Sequence, residues 1–143
     1  MNYLSLINDL LTSLRKSIEK LESGIDLGKS VLSEYRALKS TDRINTLAEQ
    51  LKLALKEFNK FMEMYQEAIP ELDSSISFQV STFMSYVRLV SLPYISDILS
   101  ELIRDLESNG SARYLNIVRE LMNDVSKAIK AVDSVDLITH STS

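Results

Sequence analysis

The sequence predicts an all-α protein, an antiparallel four-helix bundle of long amphipathic helices. Apolar residues recur at steps of three and four along almost the whole chain, which matches a helical turn of about 3.6 residues. Glycine and proline, which weaken or break helices, number only 3 and 2 among the 143 residues. The clearest apolar stripe consists of Leu4, Ile7, Leu11, Leu14, Ile18, Leu21 and Ile25. Such a stripe must be buried against other helices, so the pattern predicts a bundle.

Capping residues and helix breakers divide the chain. The first helix is predicted over residues 3–38 and the second over 42–69, which begins after the Ser-Thr-Asp sequence at 40–42 and is stopped by Pro70. The third begins after the Asp-Ser-Ser sequence at 73–75, whose residues favour the helix N-cap position.

The third helix contains a proline. Pro93 lies inside a continuous apolar pattern, so it either kinks one long helix or begins a new helix after Ser91. The Asn-Gly-Ser sequence that ends at Ser111 then predicts a turn, with Gly110 in a left-handed conformation, before the last helix.

Length and composition limit the classes of function. The chain fits one domain, and we expect a helical bundle over residues 1–138 and a flexible polar tail over 139–143. It has no cysteine, and its one histidine, His140, lies in that tail. Neither a di-iron site nor a catalytic site that needs a positioned imidazole can then be assembled. We therefore predict a protein that is not an enzyme and has no metal, cofactor or small-molecule substrate.

A segment within the first helix resembles a phosphate-binding loop. Residues 23–30 end in Gly-Lys-Ser, but Ser23 occupies the position of the first glycine in that motif. An amphipathic helix also precedes the segment, where such a loop requires a strand. A nucleotide site is therefore not predicted. Gly24 and Gly28, four residues apart on one helical face, instead suggest close approach of a neighbouring helix or a bend.

The balance of charge disfavours wrapping of nucleic acid, because the formal net charge is −4. The second helix has a basic ridge of Lys52, Lys56 and Lys60. Glutamates project within about 60° of this ridge, which predicts an ordinary solvated face. On the last helix, three basic residues lie within about 80° of one another and are a candidate contact for a polyanion such as double-stranded DNA. They are Arg119, Lys127 and Lys130.

The segment from Ser74 to Ser96 has Arg88 as its only charged residue. Three interpretations are open for it: a central core helix, a protein interface and a membrane contact. Its many serines and Arg88 argue against membrane insertion. If this segment forms an interface, its aromatic residues are the candidate contacts: Phe78, Phe83, Tyr86 and Tyr94.

A cysteine-free chain of this size with four long helices, a serine-rich uncharged third helix interrupted at Pro93, and a short Thr/Ser tail resembles the major coat proteins of tailed, spindle-shaped archaeal viruses of the bicaudavirus type. In that family, four-helix-bundle subunits build the virion shell around double-stranded DNA, and a related bundle inhibits host RNA polymerase.

The resemblance implies a structural, self-assembling viral coat (capsid) subunit found in the virion and the host cytoplasm. Its partner would be itself, with weak contact to double-stranded DNA. The alternative is a small cytoplasmic regulatory module that binds and inhibits a host macromolecule such as RNA polymerase. The N-terminus lacks the basic region of a signal peptide, so none is expected.

Overall fold

The computed structural model describes the backbone of residues 2–142 and the side chains of residues 2–135. Within this part of the chain the protein is helical and has no strand. The helices are α1 (Tyr3–Leu38), α2 (Ile44–Ala68), α3 (Ser74–Tyr86), α4 (Leu92–Ser108) and α5 (Ala112–Thr142). A 3-10 turn at Ile69–Glu71 follows α2, and a π turn at Val87–Ser91 joins α3 to α4. The protein is an all-α four-helix bundle in which α3, the π turn and α4 together form the third member.

Each long helix packs on two others. α1 contacts α2 and α4, and α5 likewise contacts α4 and α2, so α1 and α5 lie across the bundle from each other. α1 and α4 run parallel, because Lys29 lies beside Tyr94 and, further along both helices, Arg36 pairs with Asp105. Stacked rings of α2 fill part of the core, with centroid separations of 6.2 Å for Phe58 and Phe61 and 6.0 Å for Phe61 and Tyr65.

The two glycines of α1 lie at its closest contacts with neighbouring helices. A Cβ atom added at Gly24 would lie 2.5 Å from Cδ2 of Leu51 on α2, and one added at Gly28 would lie 3.2 Å from Cγ2 of Ile98 on α4. The predicted close approach is confirmed, and α1 continues through both glycines without a break. Residues 23–30 are therefore helical and do not form a phosphate-binding loop.

The π turn changes which residues of the third helical unit face the core. The buried residues of α4 follow one another at steps of three and four. If this spacing continued from Ile95 and Leu92 toward the N-terminus, Arg88 would face the core. The buried residue is instead Val87, which is 0% exposed. A π turn holds about one residue more than an α-helical turn, which accounts for this shift by one position.

Pro93 explains why the π turn lies where it does. Proline has no N–H to donate, and in an α-helix its ring would collide with the carbonyl of Leu89, four residues earlier. The wider turn ends at Ser91, two residues before the proline, and its last bond runs from the Leu92 N–H to the Val87 carbonyl. The predicted interruption is thus a π turn at Val87–Ser91 within one helical unit.

Some local predictions were wrong. Arg43, and no residue of 40–42, is the N-cap of α2, and its side chain makes no capping bond. Its guanidinium instead pairs with Glu34 near the end of α1, so an interhelical ion pair replaces the expected cap. Gly110 does adopt a positive φ of 71° in the turn before α5. The predicted tail 139–143, with His140, lies outside the described side chains and stays a prediction.

We expect Gly24→Ala to lower the free energy of unfolding by about 1 kcal/mol, even though alanine favours helix by a similar amount, because overpacking a core contact costs about 1–3 kcal/mol. Ser23→Ala, one residue away on the exposed side of α1, is the matched control and should leave stability unchanged or slightly raised. Urea unfolding measures both. A Gly24→Ala variant more stable than the wild type would contradict the close contact with Leu51.

Candidate protein interface

α3 packs on the bundle through a narrow stripe. Its buried residues are Val80 and Met84, and the stripe continues into Val87 of the π turn. In the described part of the chain, α1 is the helix on which α3 packs. A helix with one close neighbour buries a small part of its circumference, so most of α3 faces outward.

The outward side of α3 is apolar and uncharged. Phe78 is 74% exposed and Leu89 is 62% exposed, which places them among the most exposed large apolar residues of the described chain. From Ser74 to Val87 there is no charged residue. We call the exposed and partly exposed residues of this side the outer α3 face: Phe78, Thr82, Phe83, Ser85, Tyr86, Leu89 and Val90.

The structure brings three of the four predicted interface residues together. Phe78, Phe83 and Tyr86 lie on the outer α3 face. Tyr94 lies apart on α4, where the Nζ of Lys29 is 4.8 Å from the centroid of its ring. Interaction with the Tyr94 hydroxyl raises the pKa of Lys29 above its ordinary value. Tyr94 is therefore engaged within the bundle through a cation–π contact.

Sequence reasoning missed four residues of this face: Thr82, Ser85, Leu89 and Val90. Steps of three and four from buried Val80 also lead to Phe83 and Val90, but these are 47% and 43% exposed, and Met84 takes the core position of Phe83. Leu89 was not predicted as a contact because the candidate contacts were the aromatic residues of the segment, and leucine is aliphatic. A register shift within the helix could not be read from a regular three-and-four pattern.

Phe83 leans toward α1 and borders a small apolar cavity. The cavity measures about 310 Å³ and lies between α1 and α3, where Leu11, Leu14 and Ile18 line it together with Phe83. The outer α3 face is thus continuous with an apolar depression on α1.

A hydrogen-bonded anchor fixes the start of α3. Asp73 is its N-cap and accepts a bond of 2.9 Å from the Ile76 N–H. The Tyr3 hydroxyl, at the start of α1, donates to the Asp73 carboxylate at 3.0 Å and accepts from the Asp73 N–H at 2.9 Å. The backbone bond from Ile76, followed by that from Tyr3, lowers the pKa of Asp73 below its ordinary value.

The three predicted polyanion contacts have different surroundings. Arg119 pairs with Glu107 of α4 at 2.7 Å. Lys127 lies in a groove of about 690 Å³ between α2 and α5, whereas Lys130 does not line that groove. The groove contains the basic ridge of α2 as well, and we call it the lysine groove after its basic residues: Lys20, Lys52, Lys56, Lys60 and Lys127. Three acidic residues also line it: Glu57, Glu63 and Asp124.

Two of the five lysines in this groove have acidic partners. Lys20 lies 4.0 Å from Glu57, and Lys52 lies 3.7 Å from Glu120. The remaining three, Lys56, Lys60 and Lys127, form no ion pair with a described side chain. Sequence reasoning considered α2 and α5 separately and therefore missed that packing joins their lysines.

The described residues offer neither a metal-binding cluster nor a membrane-spanning helix. No group of three or more histidine, cysteine, aspartate or glutamate side chains among them is arranged to hold a metal ion. None of the described helices is long and apolar enough to cross a membrane. No protein-family model, curated protein or solved structure matches this chain. The outer α3 face and the lysine groove are therefore the two surfaces of the described residues that bear on function.

The anchor at Asp73 predicts a pH dependence. Because the pKa of Asp73 is lower in the folded state than its ordinary 3.8, its carboxylate stabilises the fold above that value, and the contribution disappears as the pH falls through the folded pKa. Asp73→Asn should therefore be less stable than the wild type at neutral pH, and the difference should shrink below a pH of about 4.

Urea unfolding of both proteins at several pH values measures this difference. Asp9→Asn is the matched control, since Asp9 is exposed on α1 and has no hydrogen bond or ion pair with a described side chain. A difference between Asp73→Asn and the wild type that does not change with pH would contradict the role of the charge.

Proposed function

We propose that this protein is a structural subunit that associates with copies of itself through the outer α3 face, and that it serves as a coat subunit of a spindle-shaped DNA virus. The observation that carries the proposal is the exposure of Phe78, Tyr86 and Leu89 on a helix with no charged residue from Ser74 to Val87. The viral assignment follows from the resemblance in architecture to bicaudavirus coat proteins.

The size of the face supports a contact with another protein. Its five large apolar residues are between 43% and 74% exposed, and an aromatic side chain presents about 150–250 Å². The apolar patch is therefore roughly 500 Å², near the upper end for a soluble monomer, where such patches commonly mark interaction sites. Aromatic enrichment and absence of charge are also typical of interface cores.

Self-association and regulation make different demands on this surface. A coat subunit must bury the face against another copy at high protein concentration. A regulatory module that binds RNA polymerase would remain a monomer until it met that partner, and we expect its contact to depend on charged groups. The uncharged character of the outer α3 face favours the first function.

Sedimentation velocity over a wide range of concentrations tests the proposal. We expect reversible oligomers of the wild type, and negative-stain microscopy should show ordered assemblies at the highest concentrations. Leu89→Glu should weaken association by at least about tenfold, because it places a charge in a buried apolar contact. Leu53→Glu is the matched control: Leu53 is 58% exposed, against 62% for Leu89, but it lies on α2.

Equal association of the two glutamate variants would contradict the use of the outer α3 face. A wild-type protein that stays monomeric under all salt and pH conditions would overturn the proposal and favour the regulatory alternative.

A second function, contact with the phosphates of double-stranded DNA, is favoured by the lysine groove. Lys56, Lys60 and Lys127 bring three cations into one groove, and none of them forms an ion pair with a described side chain. The groove lies between α2 and α5, whereas α3 packs on α1. A subunit could therefore contact DNA without covering the outer α3 face.

DNA retention at low salt tests this contact. Replacing Lys56, Lys60 and Lys127 with glutamine should weaken binding and reduce the slope of log K against log salt by about 2–3. The control triple replaces Arg113, Arg119 and Lys130 of α5 with glutamine and removes the same charge outside the groove. Equal losses in the two triples would assign the effect to net charge, and no DNA retention by the wild type would remove the contact.

A further inference from the structure

We propose that two copies of this protein pair through their α3 helices in an antiparallel arrangement about a two-fold axis, with Phe78 of each copy opposite Leu89 of the other. This inference rests on the proposed self-association and specifies its geometry. It follows from the spacing, size and charge of the residues on the outer α3 face.

The spacing of the outward residues is that of a helix-pairing stripe. Phe78, Thr82 and Ser85 of α3 and Leu89 of the π turn follow one another at steps of four, three and four, close to the spacing by which helices pack along their length. None of the four is buried, and Phe78 and Leu89 at the two ends are 74% and 62% exposed. The stripe therefore faces away from the bundle over its full length.

The order of these residues is self-complementary when the helix is reversed. In an antiparallel pair, the copy that places Phe78 opposite Leu89 also places Thr82 opposite Ser85, because the steps of four, three and four read the same in both directions. In a two-fold contact, residue j meets residue i wherever i meets j, and this order lets all four residues of the stripe take part. A parallel pair would instead stack Phe78 on Phe78 and leave Thr82 against Thr82.

The sizes of the side chains fit a close helix pair. Small residues, Thr82 and Ser85, occupy the middle of the stripe and allow the backbones to approach there. The Thr82 hydroxyl already donates to the Phe78 carbonyl at 2.8 Å, so burial of Thr82 would leave no unsatisfied donor. Phe78 and Leu89 would then fill the wider space at each end of the contact.

The absence of charge is what permits a copy of the same chain as the partner. A two-fold contact brings the same surface together twice, so charged groups near its axis meet charges of the same sign. No residue from Ser74 to Val87 is charged. Arg88, the next residue, has a guanidinium nitrogen 4.0 Å from the Asp133 carboxylate of α5, so its charge is partly compensated within its own subunit.

The area available predicts a weak and reversible dimer. A stable interface buries about 800 Å² from each partner, and the apolar part of the outer α3 face supplies roughly 500 Å². The pair should therefore form at high protein concentration and dissociate on dilution. A two-fold pair is also a closed unit, so a larger shell requires a second contact elsewhere on the subunit.

Cysteine cross-linking tests the geometry, because the natural chain has no cysteine. Phe78→Cys and Leu89→Cys are purified separately, mixed and oxidised. We expect the mixture to form disulfide dimers at least about tenfold faster than either variant alone. In the proposed pair the two Phe78 positions are offset by 11 residues, about 16 Å along the helix, which is too far for a disulfide.

A second pair of variants keeps the apolar ends of the stripe intact. Thr82→Cys mixed with Ser85→Cys should also cross-link rapidly, which guards against loss of association when Phe78 is replaced. Each of these two variants alone should cross-link as well, because its two copies are offset by only 3 residues, about 4.5 Å along the helix. Leu53→Cys on α2 is the control for random collision and should cross-link slowly.

The outcomes separate this inference from the proposed function. Rapid cross-linking of Phe78→Cys with itself would indicate a parallel pair and overturn the antiparallel arrangement. Oligomers in sedimentation, with both mixtures cross-linking no faster than Leu53→Cys, would also overturn it, while self-association itself would stand. A protein that remains monomeric at all concentrations would overturn both.

Discussion

The register of the third helical unit is the constraint on which the rest of the structure depends. α3 and α4 carry apolar stripes that are one residue out of phase, so a straight helix could bury only one of them. The π turn at Val87–Ser91 removes this conflict and lets Val80 and Leu92 both face the core. Because Pro93 has no N–H to donate, the regular α-helical hydrogen bonds are interrupted beside the turn that shifts the register.

The same shift determines what faces outward. With Val80, Met84 and Val87 turned inward, Phe78 and Leu89 lie on the opposite side of the helical unit, where they are 74% and 62% exposed. This side lacks the charged residues that are usual on the outer face of a bundle helix. It is therefore weakly hydrated, and no charge repulsion opposes its contact with the same face of another copy. Burial against another copy would remove roughly 500 Å² of apolar surface from water on each subunit, which at about 25 cal/mol per Å² is a substantial driving force before association entropy is subtracted.

Features set by neighbouring residues were predicted well from the sequence. Features that depend on how distant helices pack were not. The bounds of α1, the close approach at Gly24 and the capping at Asp73 all follow from the chemistry of a few neighbouring residues. The exposure of Leu89 and Val90 was not predicted, since periodicity indicates that a helix has a buried stripe but not where a π turn shifts it. The grouping of Lys127 with the lysines of α2 depends on how two distant helices pack, and a single sequence does not contain that distance.

The most direct test of the central claim, that the outer α3 face is where copies of this protein meet, is hydroxyl-radical footprinting of dilute and concentrated protein. In dilute protein, Phe78, Tyr86 and Leu89 should react readily, as their exposure in the single chain requires. In concentrated protein these residues should become protected while exposed Leu53 on α2 reacts as before. Protection of Leu53 with unchanged labelling of Phe78 and Leu89 would contradict the account and place the contact elsewhere.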